Sequence, residues 1–319
     1  MSLPDSLRAG LAVPAIAAPM FLVSGPDLVV EACRSGVIGT FPSLNQRTSE
    51  GYEAWLVEIQ HRLAAFRAET GRAPAAYGVN LIVHRTNARL EQDLEITVRH
   101  RVPLVITSLG AAQAVVDRIH AYGGIVFHDV IHLHHARKAA DTGVDGLIAV
   151  AAGAGGHAGT LSPFAFVAEI RSFFQKTVIL AGAITNGRQI AAAQLMGADL
   201  AYLGTRFINT RESLAPPEYK QMIADAAAKD IVYTPAISGV HGNFLRASIV
   251  AAGRDPDHLP DHGGLSVSAD GELKAWKKIW SAGHGVGDIH DVPSTAELCE
   301  RLIREYSDAR GGRFPLVAS

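Results

Sequence analysis

The chain has 319 residues, of which 48% are hydrophobic and 19% are charged, and its formal net charge is −2. The 29 basic and 31 acidic residues are spread along the chain, which excludes the basic stripe typical of nucleic-acid binding. Cys33 and Cys299 lie far apart and outside any C-x-x-C motif, so we expect buried thiols and no disulfide framework.

An apolar run at 11–23 has some features of a signal peptide. Two prolines interrupt it, Asp5 offsets Arg8, and no small-residue cleavage site follows. No stretch approaches the roughly 20 apolar residues that a membrane-spanning helix needs. We therefore expect a cytoplasmic protein without a membrane partner, acting on a small molecule, with a homo-oligomer left open.

Short apolar runs with the length of buried strands recur through the first two thirds of the chain. They lie at 15–20, 37–41, 76–81, 103–108, 124–128, 146–150, 177–181 and 200–204. Helical patterns fall between most of them, at 26–35, 51–69, 88–100, 111–121, 131–142, 162–174 and 188–196. Uninterrupted apolar strands that alternate with helices are typical of parallel strands buried on both faces. The sequence therefore predicts a (β/α)8 barrel, with a doubly wound sheet as the alternative.

The pattern of predicted strands and helices changes after Arg211. A helical pattern at 218–230 precedes a loop-rich stretch at 234–271, and further helical patterns follow at 271–279 and 293–310. We predict that 1–213 and 281–319 form the barrel. The segment 214–280 would be an insertion that caps the barrel mouth and contributes to substrate binding.

Active sites of such barrels lie at the carboxyl ends of the strands. The residues expected there include Met20, Asn80, Ser108, His128, Asp129, Gly155, Gly156, His157, Gly182, Gly204 and Thr205. Few of them are charged, and they include no carboxylate pair and no set of metal ligands. A site rich in glycine and poor in ionisable groups suits a cofactor that brings its own chemistry.

The segment 149–159 is the most unusual of these strand ends. It consists of small residues apart from His157, and so many small residues allow the backbone to lie against a flat ligand or to turn at positive φ. His157 is the only side chain of the loop that can transfer a proton or donate a directed hydrogen bond. A tight turn with a solvent-facing histidine is the alternative.

The ends of the seventh and eighth strands carry Gly182, Gly204 and Thr205. Loops at these two positions commonly bind phosphate in barrels, because glycine lets the backbone N–H groups approach the ligand and a helix begins nearby. Together these residues predict a phosphate site, with ordinary turn geometry as the alternative.

With these motifs, the chain resembles a known family, the nitronate monooxygenases, formerly called 2-nitropropane dioxygenases. The resemblance rests on Ala-Pro-Met at 18–20, Gly-Val-Asn at 78–80, Ala-Gly-Gly-His-Ala-Gly at 154–159, Ala-Gly at 181–182, Gly-Ala-Asp at 197–199, Gly-Thr-Arg-Phe at 204–207 and Trp-Ser-Ala-Gly at 280–283. It spans most of the predicted barrel and the return segment after the insertion.

The resemblance implies an FMN-dependent barrel that oxidises alkyl nitronates with O2 to a carbonyl compound and nitrite, without nicotinamide. It implies that Gly182, Gly204 and Thr205 hold the FMN phosphate and that His157 is the catalytic residue beside the flavin. The remaining cofactor contacts that it implies are Pro19, Met20, Asn80, Gly155, Gly156, Ala181, Ser281, Ala282 and Gly283.

The chemistry of histidine leaves two roles open for His157. The neutral imidazole can take the proton α to a nitro group, whereas the imidazolium can bind nitronate oxygens.

The substrate-binding candidates are Ser108, His128 and Asp129. Asp129 as a carboxylate would disfavour an anionic substrate. His128, His132 and His135 also permit a metal site, but without accompanying carboxylates or cysteines we predict none.

Two other functions compete with nitronate oxidation. One keeps the FMN barrel but reduces a quinone or an enoyl thioester with NAD(P)H. Relatives of that kind resemble enoyl-acyl-carrier-protein reductases with Met-Ala-Gly where this chain has Ser-Ala-Gly at 281–283, which favours the nitronate reaction. The other is a non-redox barrel that binds a phosphate ligand, for which His157 would be dispensable.

Overall fold

The computed structural model describes residues 2–110, 113–260 and 279–311. Its centre is a closed barrel of eight parallel strands in the order β1-β2-β3-β4-β5-β6-β8-β9. These strands are β1 (Ala15–Ala17), β2 (Ile38–Pro42), β3 (Tyr77–Ile82), β4 (Leu104–Ser108), β5 (Ile125–Val130), β6 (Gly146–Val150), β8 (Thr177–Ala181) and β9 (Leu200–Leu203). Parallel pairing of Ile16 with Tyr202 closes the barrel between β1 and β9. The predicted (β/α)8 barrel is thus confirmed, and the doubly wound sheet is wrong.

Helices connect the strands and surround the barrel. They are α1 (Asp5–Arg8), α2 (Pro26–Arg34), α3 (Ser49–Thr70), α4 (Leu90–Arg99), α5 (Gln113–His120), α6 (Leu133–Asp141), α7 (Pro163–Arg171), α8 (Gly187–Leu195), α9 (Thr205–Ile208), α10 (Pro217–Asp225), α11 (Arg246–Ala251) and α12 (Thr295–Gly311). The last helix, α12, packs against α8 and α2 and so returns the end of the chain to the barrel wall. None of the described helices is long and apolar enough to cross a membrane.

Local sequence signals explain several helix ends. Proline occupies the first turn of α2, α7 and α10, where its missing N–H costs no hydrogen bond. Asn186 and Gln189 form a capping box at the start of α8. Gly71 ends the long helix α3 at φ +68°, a conformation that glycine adopts without strain.

The barrel interior changes character along its axis. Alternate residues of a barrel strand point inward, and the inward residues of the lower layers form an apolar plug. This plug includes Ile16, Ile38, Leu104, Ile106, Phe127, Ile148, Ile179 and Leu200, all fully buried. Ser108 and Asp129 lie two positions beyond Ile106 and Phe127 on the same strands, so they share the inward face. The plug therefore ends in a polar layer at the carboxyl ends of the strands.

A second, three-stranded sheet lies beside the barrel mouth. It consists of β10 (Ile231–Thr234), β11 (Gly242–Leu245) and the two-residue β7 (Gly156–His157), all antiparallel. The sequence led us to expect loops from 234 onward, so the β11 strand and helix α11 correct that prediction. Strands of four residues with little apolar alternation give no clear pattern, and pairing with the glycine loop stabilises them instead.

Two other predicted helices differ from the structure. The pattern at 218–230 forms α10 only as far as Asp225, and a 3-10 turn at Ala228–Asp230 follows an extended Ala226. The helix predicted at 271–279 lies outside the described residues except for Ile279. The described part of the insertion packs onto the return segment, since Tyr219 and Leu245 share an apolar cluster with Val286 and Ile289.

Candidate active site

A cavity of about 970 Å³ opens at the carboxyl ends of the barrel strands. Its size lies within the range of small-molecule sites. The predicted site residues that line it are Pro19, Met20, Asn80, Ser108, His128, Asp129, Gly155, Gly156, His157, Ala181, Gly182, Gly204, Thr205, Ser281 and Gly283. The structure thus brings together residues from seven barrel strands or their following loops, the glycine loop and the return segment.

Ala282 is the one predicted contact that does not line the cavity. Its side chain is fully buried in the apolar cluster with Val23, Tyr219 and Ile289. It faces away because neighbouring residues of an extended segment point to opposite sides, and Ser281 and Gly283 take the cavity side.

One wall of the cavity is formed by backbone packed against backbone. A Cβ added at Gly155 would lie 2.8 Å from Gly283 N, and one added at Gly283 would lie 2.4 Å from Gly153 O. The Gly283 N–H donates to Thr205 Oγ1 at 2.9 Å, which ties the return segment to the end of β9. Side chains are excluded from this glycine wall by the protein's own packing.

Gly182 and Gly204 differ in what requires them. Gly182 has φ +139°, and its added Cβ would lie 2.8 Å from Ala152 O. Gly204 has φ −100°, and its added Cβ would make only ordinary contacts, with Ala18 Cβ at 3.7 Å and Met20 at 3.9 Å. The fold therefore requires glycine at 182, whereas at 204 glycine leaves space beside the cavity.

Backbone N–H groups at the start of α9 adjoin this space. The first N–H groups of a helix have no acceptor within the helix, and α9 begins at Thr205. Arg206 does not line the cavity, because it is buried and its Nη2 pairs with Asp291 Oδ1 at 2.8 Å. The polar groups offered to an anion here belong to Thr205 and the backbone.

His157 is held in the cavity wall by the small sheet. It is half-buried and pairs with Gly242 across β7 and β11, so it is not the solvent-facing residue of a simple turn. Its Nε2 lies 3.2 Å from Ser238 Oγ, and the Ser238 hydroxyl donates to Val240 O at 3.1 Å. Burial lowers the pKa of His157 to about 4, so the imidazole is neutral at neutral pH.

The hydrogen bond to Ser238 orients the histidine ring, with Nε2 directed at the serine hydroxyl. Because burial keeps the imidazole neutral, one of its two ring nitrogens carries a lone pair that can accept a proton.

The floor of the cavity is a chain of polar side chains from three adjacent strands. Asn80 Nδ2 donates to Ile106 O at 3.1 Å and to Ser108 Oγ at 2.7 Å, and the Ser108 hydroxyl donates to Asp129 Oδ2. Asp129 Oδ1 is buried and has no hydrogen-bond partner in the described parts of the chain. Burial raises the pKa of Asp129 to about 6, although the Ser108 hydrogen bond opposes this shift.

His128 belongs to a different environment from its neighbour Asp129. Its Nδ1 lies 2.7 Å from Thr107 Oγ1 of β4. Burial, and to a lesser extent the nearby His135, lowers the pKa of His128 to about 4. His132 caps α6, where its Nδ1 accepts from His135 N–H at 3.4 Å. Over 2–110, 113–260 and 279–311, no three His, Cys, Asp or Glu residues could together hold a metal ion.

Several aromatic residues that we did not predict as site residues line the cavity. Tyr219 stacks on Trp280 with ring centroids 4.9 Å apart and an interplanar angle of 11°, and the Tyr219 hydroxyl donates to Ser281 O. Tyr233 donates to Ala158 O at 3.1 Å, and Tyr202 of β9 reaches the floor. The sequence shows these side chains, but no spacing rule places residues of the insertion against the glycine loop.

The fold and site together define a class of enzyme, a (β/α)8 barrel with a small-molecule cavity at its carboxyl end. The nitronate monooxygenase family model matches residues 8–305, so the chain belongs to that family, whose members are flavin-dependent oxidoreductases.

The chain is also similar to individual proteins. It is 31% identical to a candidate monooxygenase of Mycobacterium tuberculosis, over 70% of this chain and 64% of that protein. It is 26% identical to a nitronate monooxygenase of Paraburkholderia phytofirmans, over 94% of each chain. The solved nitroalkane oxidase of Streptomyces ansochromogenes has the same fold, with a TM-score of 0.80, 23% identity, and coverage of 96% of this chain and 99% of that one. The chain spans just under two thirds, 64–65%, of the first curated relatives it matches.

Proposed function

We propose that this protein uses FMN to oxidise alkyl nitronates with O2, giving a carbonyl compound and nitrite. The observation that carries the proposal is a half-buried His157, neutral at neutral pH, that shares one cavity with the glycine wall. When bound, FMN supplies the electron acceptor for the nitronate and the electron donor for O2. The chain's own residues have to bind the cofactor, exclude water and move a proton.

The space beside Gly204 fits the phosphate of FMN. A Cβ added at Gly204 would make only ordinary contacts with the protein, so glycine here leaves space for a ligand. The first N–H groups of α9 and the Thr205 hydroxyl suit a phosphate. We infer that Gly182, Gly204 and Thr205 hold this group. Gly182 would fix the loop after β8, beside the loop after β9 that carries Gly204 and Thr205.

The rest of the cavity suits a flat ring system. Pro19, Met20 and Ala181 offer apolar surface, and the glycine loop leaves room for a planar ligand against its backbone. We infer that Asn80, Gly155, Gly156, Ser281 and Gly283 complete the contacts to FMN, and that Ala282 contributes only through its backbone. The described part of the segment 214–280 would then cover the outer side of the substrate.

Of the two roles open to His157, the structure favours the base. A pKa of about 4 makes the imidazolium rare at neutral pH, so the neutral ring is the form that meets the substrate. In the proposed step, the neutral imidazole of His157 takes the proton from the carbon α to the nitro group of a neutral nitroalkane. The C–H bond breaks, the N–H bond forms, and the electron pair moves onto the nitro oxygens to give the nitronate.

Anaerobic mixing of the FMN-loaded protein tests the proposal. Addition of ethyl nitronate should bleach the visible flavin absorbance, whereas NADH should leave it unchanged over the same time. Admission of O2 should restore the absorbance and release nitrite. Rapid bleaching by NADH alone would favour the NAD(P)H-dependent function, and a protein that does not bind FMN would contradict both.

A further inference from the structure

Asp129 is the only carboxyl among the described residues that line the cavity. One of its oxygens, Oδ2, accepts from Ser108, and the other, Oδ1, is buried with no partner in the described parts of the chain. A buried carboxylate normally has two or three donors or a cation beside it. Asp129 has a single neutral donor, which is an unusual environment for a permanent charge.

The groups around Asp129 do not compensate a charge. Ser108 of β4 and Asn80 of β3 are neutral, and the inward residue of β6, Val150, is apolar. Tyr202 of β9 is the titratable group that interacts with Asp129, and burial together with Asp129 raises the Tyr202 pKa. The chargeable groups elsewhere in the cavity lining are His84, His128, His135, Lys138, His157 and His241.

We propose that Asp129 selects the charge of the ligand, so that an anion enters the cavity only together with a proton taken up by this carboxyl. The proposal deepens the proposed function, on which it rests, because the nitronate is an anion. Ser108 gives its own proton to Oδ2, so the proton that neutralises Asp129 resides on Oδ1. This oxygen has no other partner in the described structure, and a bound anion beside the protonated acid meets no like charge.

The coupling has a defined pH dependence. Below the pKa of Asp129 in the free protein, the carboxyl is neutral and anion affinity does not depend on its titration. Above that pKa, binding takes up one proton, and the dissociation constant rises about tenfold per pH unit. Anion binding should therefore weaken as the pH rises. A plot of the logarithm of the dissociation constant against pH should bend near pH 6, where Asp129 titrates.

Nitrite is a suitable probe, since it is an anion at every pH used and its binding needs no turnover. Calorimetric titration of FMN-loaded protein with nitrite from pH 5 to 8.5 should show this rise in the wild type. Asp129→Asn should bind nitrite with a nearly constant dissociation constant over the same range. Its affinity at pH 8 should exceed that of the wild type by at least tenfold.

Ser108→Ala provides an independent variant that keeps the carboxyl. The Ser108 hydrogen bond lowers the Asp129 pKa, so its loss should move the bend to higher pH without removing the slope. A general structural defect would not shift the bend in this direction.

The outcomes separate the coupling from the proposed reaction. A wild-type dissociation constant that does not change with pH, a full slope in Asp129→Asn, or no nitrite binding even at pH 5 would each overturn the coupling. If nitrite shows the slope but ethyl nitronate does not bleach the flavin, the charge selection stands and the proposed oxidation fails.

Discussion

The glycine wall and the polar floor line the same cavity and are built on different principles. In the wall, Gly155, Gly283 and Gly153 pack backbone against backbone at distances that exclude any side chain. In the floor, Asn80, Ser108 and Asp129 form a chain of hydrogen bonds that ends in a group able to change its charge. The wall determines the shape of the ligand, whereas the floor and His157 determine protonation. Substitutions in the two regions should therefore have separable effects.

The largest expected effect comes from removing the histidine proposed to take the proton, which leaves the glycine wall intact. His157→Ala should lower the turnover of nitroethane by about 10²–10⁴-fold, since a general base contributes on that scale. The flavin content should stay at the wild-type level, because the glycine wall is unchanged. His134→Ala, which removes an exposed histidine, is the matched control. Loss of flavin in His157→Ala would instead mean that the histidine is structural.

Gly204→Val should have the opposite effect, since it should weaken FMN binding and leave His157 unchanged. An added Cβ lies 3.7 Å or more from the nearest protein atoms, so the substitution makes no clash at this atom, and the valine side chain should occupy the space assigned to phosphate. Loss of charge-assisted hydrogen bonds should raise the FMN dissociation constant by at least about tenfold. Quenching of FMN fluorescence measures this, and the circular dichroism spectrum should stay unchanged. Unaltered FMN affinity would place the phosphate elsewhere.

A third substitution, Gly182→Ala, separates backbone strain from ligand contact. Gly182→Ala forces a side chain into φ +139° and within 2.8 Å of Ala152 O, so the protein itself should lose about 1–3 kcal/mol of stability. Gly204→Ala, at φ −100°, should stay close to the wild type. Thermal unfolding of the FMN-free protein compares the two. Equal melting temperatures would contradict the assigned difference.

A further expected effect is a pH dependence of stability. Burial lowers the pKa values of His128 and His157 from 6.5 to about 4, so the unfolded chain binds more protons between these values. Stability should therefore fall as the pH decreases from 6.5 towards 4, while Asp129, with its raised pKa, opposes this trend. Denaturant unfolding across this range should show a smaller decrease for His157→Gln than for the wild type. An unchanged slope would mean that His157 is protonated in the folded protein.

The barrel, the glycine loop and the position of His157 followed from the sequence because they depend on local patterns. Uninterrupted apolar runs predicted the strands, and a run of small residues marked the loop. The contact of Ser108 with Asp129 could not be predicted, since it depends on the register between β4 and β5. The hydrogen bond between His157 and Ser238 could not be predicted either, because Ser238 lies 81 residues further along the chain in a stretch without periodicity. Ala282 shows the same limit: a motif gives the residues near a ligand, but not which of them face it.

The pairing of β7 with β11 has a consequence for how such enzymes diversify. The glycine loop contributes only two residues to this sheet, and the other strands come from the segment between the barrel and its last helix. His157 is therefore oriented by the same stretch of chain that borders the cavity. Under the proposed function, exchange of residues 231–245 between relatives should change reactivity and ligand preference together, while the barrel strands stay the same.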